Sequence, residues 1–291
     1  MPELDGLVLD GRVAVVTGAN SGVGRSTSEL LAEAGARVVM VCRNQGRGEE
    51  ALAAVRRLTG DDRVQLEIAD LSSSEAVRAL AARLSDRLDR IDMLVNNAGV
   101  FRARREISVD GFEVTMATNH LGHHLLTSLL LDLLRRGRAR IVNVSSDGHR
   151  RGDLRRAPLE EILRGDLSYS GLRAYGDSKL ANILFTFELM RRYGSEGITA
   201  NALHPGVLAT RIWNQNRSPL SLLMVLFKPL MGRPAVGGRA VFRLATNPSL
   251  GEAGGSYFNV EEEARAATQA YDRDLASELW DTSTRLTGAT A

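Results

Sequence analysis

Val13-Ala14-Val15-Val16-Thr17-Gly18-Ala19-Asn20-Ser21-Gly22-Val23-Gly24 is the stretch that decides the fold. An apolar run enters a glycine-rich turn, and the turn enters the helical pattern of residues 22–34, which Gly35 ends. Apolar residues that run on without alternating suit a strand covered on both faces. Glycines let the backbone turn tightly and approach a pyrophosphate, while a helix N-terminus presents free N–H groups to the anion. A glycine trio alone is weak evidence. Set between an apolar strand and a helix, it points to a dinucleotide rather than to a bare tight turn.

Working outward, short β-branched runs alternate with helical patterns. Strands are predicted at residues 12–17, 37–42, 63–68, 91–95, 140–144 and 199–203, and helices at 22–34, 47–58, 112–136 and 175–193. Ser72-Ser73-Ser74-Glu75 offers a capping box that opens a further helix to about residue 88. The tail, residues 261–286 with Trp280, also reads as helical. This βαβαβ rhythm predicts an α/β fold, a doubly wound parallel sheet of Rossmann type with helices on both faces. No repeat or low-complexity linker divides the 291 residues, so residues 1–291 read as a single domain. Irregular excursions fall at about 147–172 and 207–236.

Composition narrows the function classes. The formal net charge of +2 provides no global basic field for nucleic acid. Arginine clusters at 135–140 and 150–156 lack interleaved aromatic residues and read as a solvated helix end and loop. The single Cys42 excludes an internal disulfide and fits a reducing compartment; its apolar neighbours predict a buried, inert thiol. The N-terminus shows no signal-peptide pattern. The longest apolar stretch, residues 220–231, carries Lys228 and Pro229 and is too short for a membrane span. A cytoplasmic protein is the expectation from these features. His120, His123 and His124 crowd one helix, yet no Glu or Cys completes a zinc set. Core or interface histidines are expected there, and no metal.

The second strand runs into Val41-Cys42-Arg43-Asn44, with no acid before Glu49. An acid there would accept from the adenosine ribose, whereas arginine pairs with a 2′-phosphate. Arg43, with Arg47 as a second contact, therefore argues for NADP(H) over NAD(H); the alternative is a solvent-facing arginine beside a turn. Farther on, Tyr175 and Lys179 stand four residues apart on one helix face. Lys179 and Lys228 are the only lysines in an arginine-rich chain. A phenol titrates near 10, and bringing it near 7 takes about 4 kcal/mol of differential stabilisation, which a neighbouring ammonium can contribute. Tyr169 has Arg173 at the same spacing, and arginine cannot relay a proton. It reads as a packing residue or a wall of a substrate pocket.

With these residues the chain resembles the short-chain dehydrogenase/reductase family, over about residues 9–259. Thr17, Gly18, Gly22 and Gly24 match its cofactor loop, which encloses Asn20, Ser21 and Val23. Asp70-Leu71 is similar to the pair that contacts adenine, and Asn96-Asn97-Ala98-Gly99 matches the motif after the fourth strand. Asn119, Ser146, Tyr175 and Lys179 match the catalytic residues. Pro205-Gly206 with Val207 and Thr210 looks like the segment that clasps the nicotinamide, and Asn44 joins Arg43 at the ribose end. Residues 119–127, Ser178-Lys179-Leu180-Ala181-Asn182 and His204-Pro205-Gly206 resemble the retinol-dehydrogenase-like branch, which prefers NADP(H). The arginine-rich 147–172 segment and an N-terminus that reads as unanchored depart from that branch.

The resemblance implies that Tyr175 is the general acid/base and that Ser146 donates to the same substrate oxygen. Lys179 would lower the tyrosine pKa and hold the nicotinamide ribose, and Asn119 would fix a water leading to solvent. His149 and His204 adjoin this site; His149 either touches substrate or has no role. Residues 207–236, with Trp213 and the apolar 220–230, are expected to form a helical substrate lid; a core helix or a membrane-surface patch are the alternatives. The expected activity is NADP(H)-dependent hydride transfer with the carbonyl or alcohol of a fairly apolar, medium-sized substrate. The rivals are non-redox work on the same fold (dehydration, epimerisation, cyclisation) and a cofactor-binding regulator without turnover. The apolar face at 125–134 suits a homodimer or homotetramer.

Overall fold

The computed structural model describes residues 8–60, 62–206, 234–250 and 254–289. The chain forms β1 (Val13–Thr17), α1 (Gly22–Glu33), β2 (Arg37–Cys42), α2 (Gln45–Thr59), β3 (Gln65–Ile68), α3 (Ser74–Arg87) and β4 (Met93–Asn96). Then follow α4 (Val114–Met116), a π-turn (Ala117–Leu121), α5 (Gly122–Leu129), α6 (Leu131–Gly137) and β5 (Arg140–Val144). A 3-10 turn (Asp147–Arg151), α7 (Leu159–Arg164), α8 (Gly171–Tyr193) and β6 (Thr199–His204) come next. The described chain closes with α9 (Pro234–Thr246), β7 (Tyr257–Asn259), β8 (Glu262–Glu263) and α10 (Arg273–Thr287).

The strands lie in the order β3-β2-β1-β4-β5-β6-β7-β8, and only β8 runs antiparallel to its neighbour. β1 pairs with β2 on one side and β4 on the other, so the chain reverses its winding beside the glycine turn. The continuous apolar strands divide their side chains between two cores. Ala14, Val16, Val38 and Met40 meet α1, α2 and α9, while Val15, Val39 and Val41 meet α3, α5, α6 and α8. α10 seals the second core through Trp280, whose ring stacks on Phe185 at 5.6 Å and lies under the Arg192 guanidinium.

Several expectations change. The predicted helix 112–136 starts at Val114, because the Glu113 carboxylate caps Met116 N–H at 2.9 Å. It widens into the π-turn and bends at Leu130; Gly122 passes so close to the Leu71 carbonyl that a Cβ would overlap it. No capping box forms: Ser73 caps α3 through Ala76 N–H, the third helical residue is Ala76 rather than Glu, and Asp110 takes Ser74 N–H at 2.6 Å. The tail is helical only from Arg273, where Asp272 caps Leu275 N–H at 2.9 Å; β8 and a 3-10 turn (Thr268–Tyr271) precede it. Leu125, Leu126, Leu130, Leu131, Leu133 and Leu134 are buried in the core of the chain itself, so that face is not available to a second copy. Residues 207–233, most of the expected lid, lie outside the described residues. Residues 234–236 open α9, which packs on α1. Among the described residues no helix is long and apolar enough to cross a membrane.

Candidate active site

The glycine turn and the loop after β4 are fitted into each other. Thr17 Oγ1 accepts from the Asn97 and Ala98 N–H groups, both at 2.9 Å, and Asn97 Nδ2 donates to the Thr17 carbonyl at 2.7 Å. Gly18 takes φ +65°, and a Cβ there would stand 2.8 Å from Ala98 Cα, so only glycine fits both the turn and the contact. Ser21 makes no capping bond with its side chain, which leaves the first N–H groups of α1 open toward the cleft.

That cleft, of about 600 Å³, runs along the C-terminal ends of β1, β2, β4 and β5. At the glycine turn it is lined by Gly18, Asn20, Ser21, Gly22 and Val23. Arg43, Asn44 and Arg47 line the end beyond β2, with Asp70 and Leu71 beside them. Asn44 also caps α2 through Arg47 N–H, and Asp70 is aimed by Ser72, which donates to it through N–H at 2.9 Å and Oγ at 2.7 Å. Glu49, the first acid after β2, accepts from Gln45. An arginine-lined end with no acid from β2 matches a phosphorylated ribose. Asn97, Ala98 and Gly99 form the floor, with Pro205 and Gly206 at the far end. Gly24 packs against Asn97 rather than facing the cleft, and Val207 and Thr210 lie outside the described residues.

Ser146, Tyr175 and Lys179 meet at this far end. α8 is held to β5 by Ser145 Oγ, which donates to the Lys179 carbonyl at 2.7 Å, and by Asn182 Nδ2 on the Val144 carbonyl. Lys179 Nζ donates to the same Val144 carbonyl at 3.0 Å and lies 5.6 Å from the centre of the Tyr175 ring. Burial draws the ammonium down to about 8. Burial also pushes the Tyr175 phenol up to about 12, opposed by its hydrogen bond with Ser146. In the cofactor-free chain desolvation therefore outweighs the lowering expected from Lys179. Phe101 packs edge-on to the Tyr175 ring at 6.1 Å.

Asn119 sits behind Gly99 instead of lining the cleft. Its side chain clamps Val100, accepting from N–H at 2.8 Å and donating to C=O at 3.0 Å, and also donates to Ser178 Oγ at 2.9 Å. Both amide hydrogens are thus committed to protein. His149 is fully buried: Nδ1–H donates to the Ser146 carbonyl and Nε2 accepts from Ala267 N–H, so neither nitrogen is left for substrate. Tyr169 is a packing residue; its hydroxyl lies 2.8 Å from the Arg102 carbonyl and 3.1 Å from the Glu113 carboxylate. Cys42 is buried, and burial pushes its thiol up to about 11.

Sequence reading missed Thr118, Asp147, Gly148, Arg151 and Leu172, all of which line the cleft. Ser146 held one signal: its Oγ accepts from Gly148 N–H at 3.1 Å and starts the turn that brings 147–151 over the site. The arginine-rich segment is pinned to α8 by Arg156, which pairs at 2.7 Å with buried Asp177, between Tyr175 and Lys179.

Comparison with known proteins fits this geometry. A family model described as short chain dehydrogenase matches residues 12–156. Mouse retinol dehydrogenase 12 is 38% identical over 281 residues, covering 96% of this chain and 87% of that protein. Human retinol dehydrogenase 14 is 37% identical, covering 97% and 88%. Among solved structures, an uncharacterised protein of Mycobacterium paratuberculosis superposes with a TM-score of 0.76 at 32% identity, covering 98% of this chain and 97% of that one. The Pseudomonas aeruginosa RhlG/NADP active-site complex gives 0.69 at 28% identity, covering 88% and 96%. Likeness of this extent, in sequence and in fold, admits one assignment: the chain belongs to the short-chain dehydrogenase family.

Proposed function

We propose that this protein is an NADP(H)-dependent oxidoreductase that interconverts a carbonyl and its alcohol on a fairly apolar, medium-sized substrate. The observation that carries the reading is the convergence of Ser146, Tyr175 and Lys179 at one end of a cleft that the glycine turn also lines. Arg43 and Arg47 support the 2′-phosphorylated cofactor, as does the neighbour crystallised with NADP. The retinol dehydrogenases among its relatives support an apolar alcohol substrate.

Gly18, Asn20, Ser21, Gly22 and Val23 would hold the pyrophosphate, Asp70 and Leu71 the adenine, and Asn97, Ala98, Gly99 and Lys179 the nicotinamide ribose. Pro205 and Gly206, with Val207 and Thr210, would hold the carboxamide. Bound there, the nicotinamide supplies or accepts the hydride. In reduction Tyr175 gives its proton to the carbonyl oxygen, and in oxidation it takes the proton back. Ser146 donates a second hydrogen bond to the same oxygen as its charge grows. Lys179 stabilises the phenolate left on Tyr175. The intact set of three favours turnover over a regulator, and favours redox work over dehydration or epimerisation. The lone, buried Cys42 supports a reducing compartment, the cytoplasm.

The test is a nicotinamide absorbance assay over ketones, aldehydes and alcohols, with NADPH and NADH. Turnover with NADPH is expected, and Tyr175→Phe should lower kcat by roughly 10²–10⁴ while still binding NADPH. Full activity in Tyr175→Phe, or NADPH binding with no turnover of any carbonyl or alcohol, would refute the reading.

A further inference from the structure

His123 is fully enclosed, and both of its ring nitrogens are engaged. Nδ1 lies 3.0 Å from the Asn119 carbonyl, an acceptor only, so Nδ1 carries the hydrogen. Burial draws the ring down to about 4, which keeps it neutral and leaves Nε2 bare. Nε2 lies 2.9 Å from Thr17 Oγ1, whose lone pairs take the Asn97 and Ala98 N–H groups. The Thr17 hydroxyl hydrogen therefore points at His123 Nε2, since the other acceptor within reach, the Val95 carbonyl, is 3.3 Å away.

Asn119, whose carbonyl meets His123, carries the link onward through its side chain. Asn119 Nδ2 donates to Ser178 Oγ at 2.9 Å, and Ser178 Oγ donates to the Tyr175 carbonyl at 2.8 Å. Thr17, His123, Asn119 and Ser178 thus form one buried network, joined through the body of Asn119, from the glycine turn, through the π-turn, to the helical turn that carries Tyr175. The Asn119 carbonyl fixes the tautomer of His123, and the clamp on Val100 fixes the sense of the Asn119 amide, so the network has a single arrangement.

We propose that His123 is a positioning residue that ties the seat of the cofactor to the placement of the acid/base. The idea rests on the reading of Tyr175 and the glycine turn given above. A side chain of similar volume without nitrogen leaves the Thr17 hydroxyl only the longer bond to the Val95 carbonyl, and takes the imidazole donor from the Asn119 carbonyl. The glycine turn and the acid/base end of the cleft then lose definition together.

His123→Phe is expected to raise the Kd for NADPH and to lower kcat, each by about tenfold, the scale of one buried hydrogen bond lost. His123→Asn keeps an N–H near the Nδ1 position and should recover part of kcat; His123→Gln keeps a polar atom near Nε2 and should recover part of the NADPH affinity. His124→Phe is the control, a histidine as deeply buried but outside the network. It should leave kcat and Kd at parental values whatever it does to melting temperature. A His123→Phe protein that folds with parental kcat and Kd overturns the proposal. Tyr175→Phe, assayed beside it, separates two failures: activity there refutes the acid/base reading, whereas an inactive Tyr175→Phe beside a normal His123→Phe overturns the positioning role alone. If His123→Phe does not fold, ¹⁵N-histidine NMR of the unaltered protein at pH 7 decides. A neutral ring protonated on Nδ1 supports the proposal, and one protonated on Nε2 refutes it.

Discussion

The Lys179 ammonium donates to the Val144 carbonyl at 3.0 Å and lies 5.6 Å from the centre of the Tyr175 ring, with both side chains buried. A lysine drawn down to about 8 holds fewer protons in the folded chain than in the unfolded one between pH 8 and 10.5. Its burial therefore destabilises fully below pH 8, and the penalty fades as pH rises to 10.5. Lys179→Met should abolish turnover yet stabilise the cofactor-free protein at pH 7 by about 2–3 kcal/mol. Urea unfolding at pH 7 and pH 10 checks both the gain and its disappearance.

Arg43 stands at the end of the cleft where a 2′-phosphate would lie. Arg43→Ala should raise the KM for NADPH by about tenfold or more and leave NADH nearly unchanged, because a charge-assisted hydrogen bond is lost with one cofactor only. Equal losses with both would remove the arginine from phosphate recognition.

Gly148 leaves room beside the acid/base, since a Cβ there would stand 3.4 Å from both Ser146 Oγ and Tyr175 Cε1. Gly148→Val should lower kcat/KM for bulky ketones by about tenfold, spare small aldehydes and leave NADPH affinity unchanged. A uniform loss across substrates would mean that the change disturbs Ser146 and Tyr175 themselves.

His120, His123 and His124 are buried and drawn below their usual range, His123 to about 4 and His124 to about 3. The unfolded chain takes up their protons first, so stability present above pH 6.5 is lost as pH falls below it. His123 and His124 should each cost on the order of 2 kcal/mol by pH 5. Urea midpoints between pH 7 and pH 5 should fall steeply, and less steeply in His124→Phe.

The glycine turn, the parallel sheet and the positions of Ser146, Tyr175 and Lys179 were legible because short-range pattern carries them. Val13 to Gly24 is itself a strand, a turn and a helix start, and Tyr175 and Lys179 share a face by helix period alone. What stayed illegible depends on neighbours distant in sequence. Nothing in residues 112–136 announces that Glu113 caps, or that the helix must widen where Gly122 passes Leu71. β7 is three residues long and takes its conformation from pairing with β6. Asn119 was identified as functional, but the commitment of its amide to Val100 and Ser178 appears only in three dimensions.

The cleft straddles the seam where β1 meets β4, and its two walls come from opposite halves of the sheet. Any ligand that fills it must therefore cross-brace the fold, and its binding energy is added to the resistance of the chain to unfolding. At a hundredfold excess over Kd the gain is about 2.7 kcal/mol, large enough to read as a rise in melting temperature. Heat resistance thus becomes an assay in its own right: a library of alcohols and ketones can be sorted by how far each delays melting of the NADPH-loaded protein, before any turnover is sought.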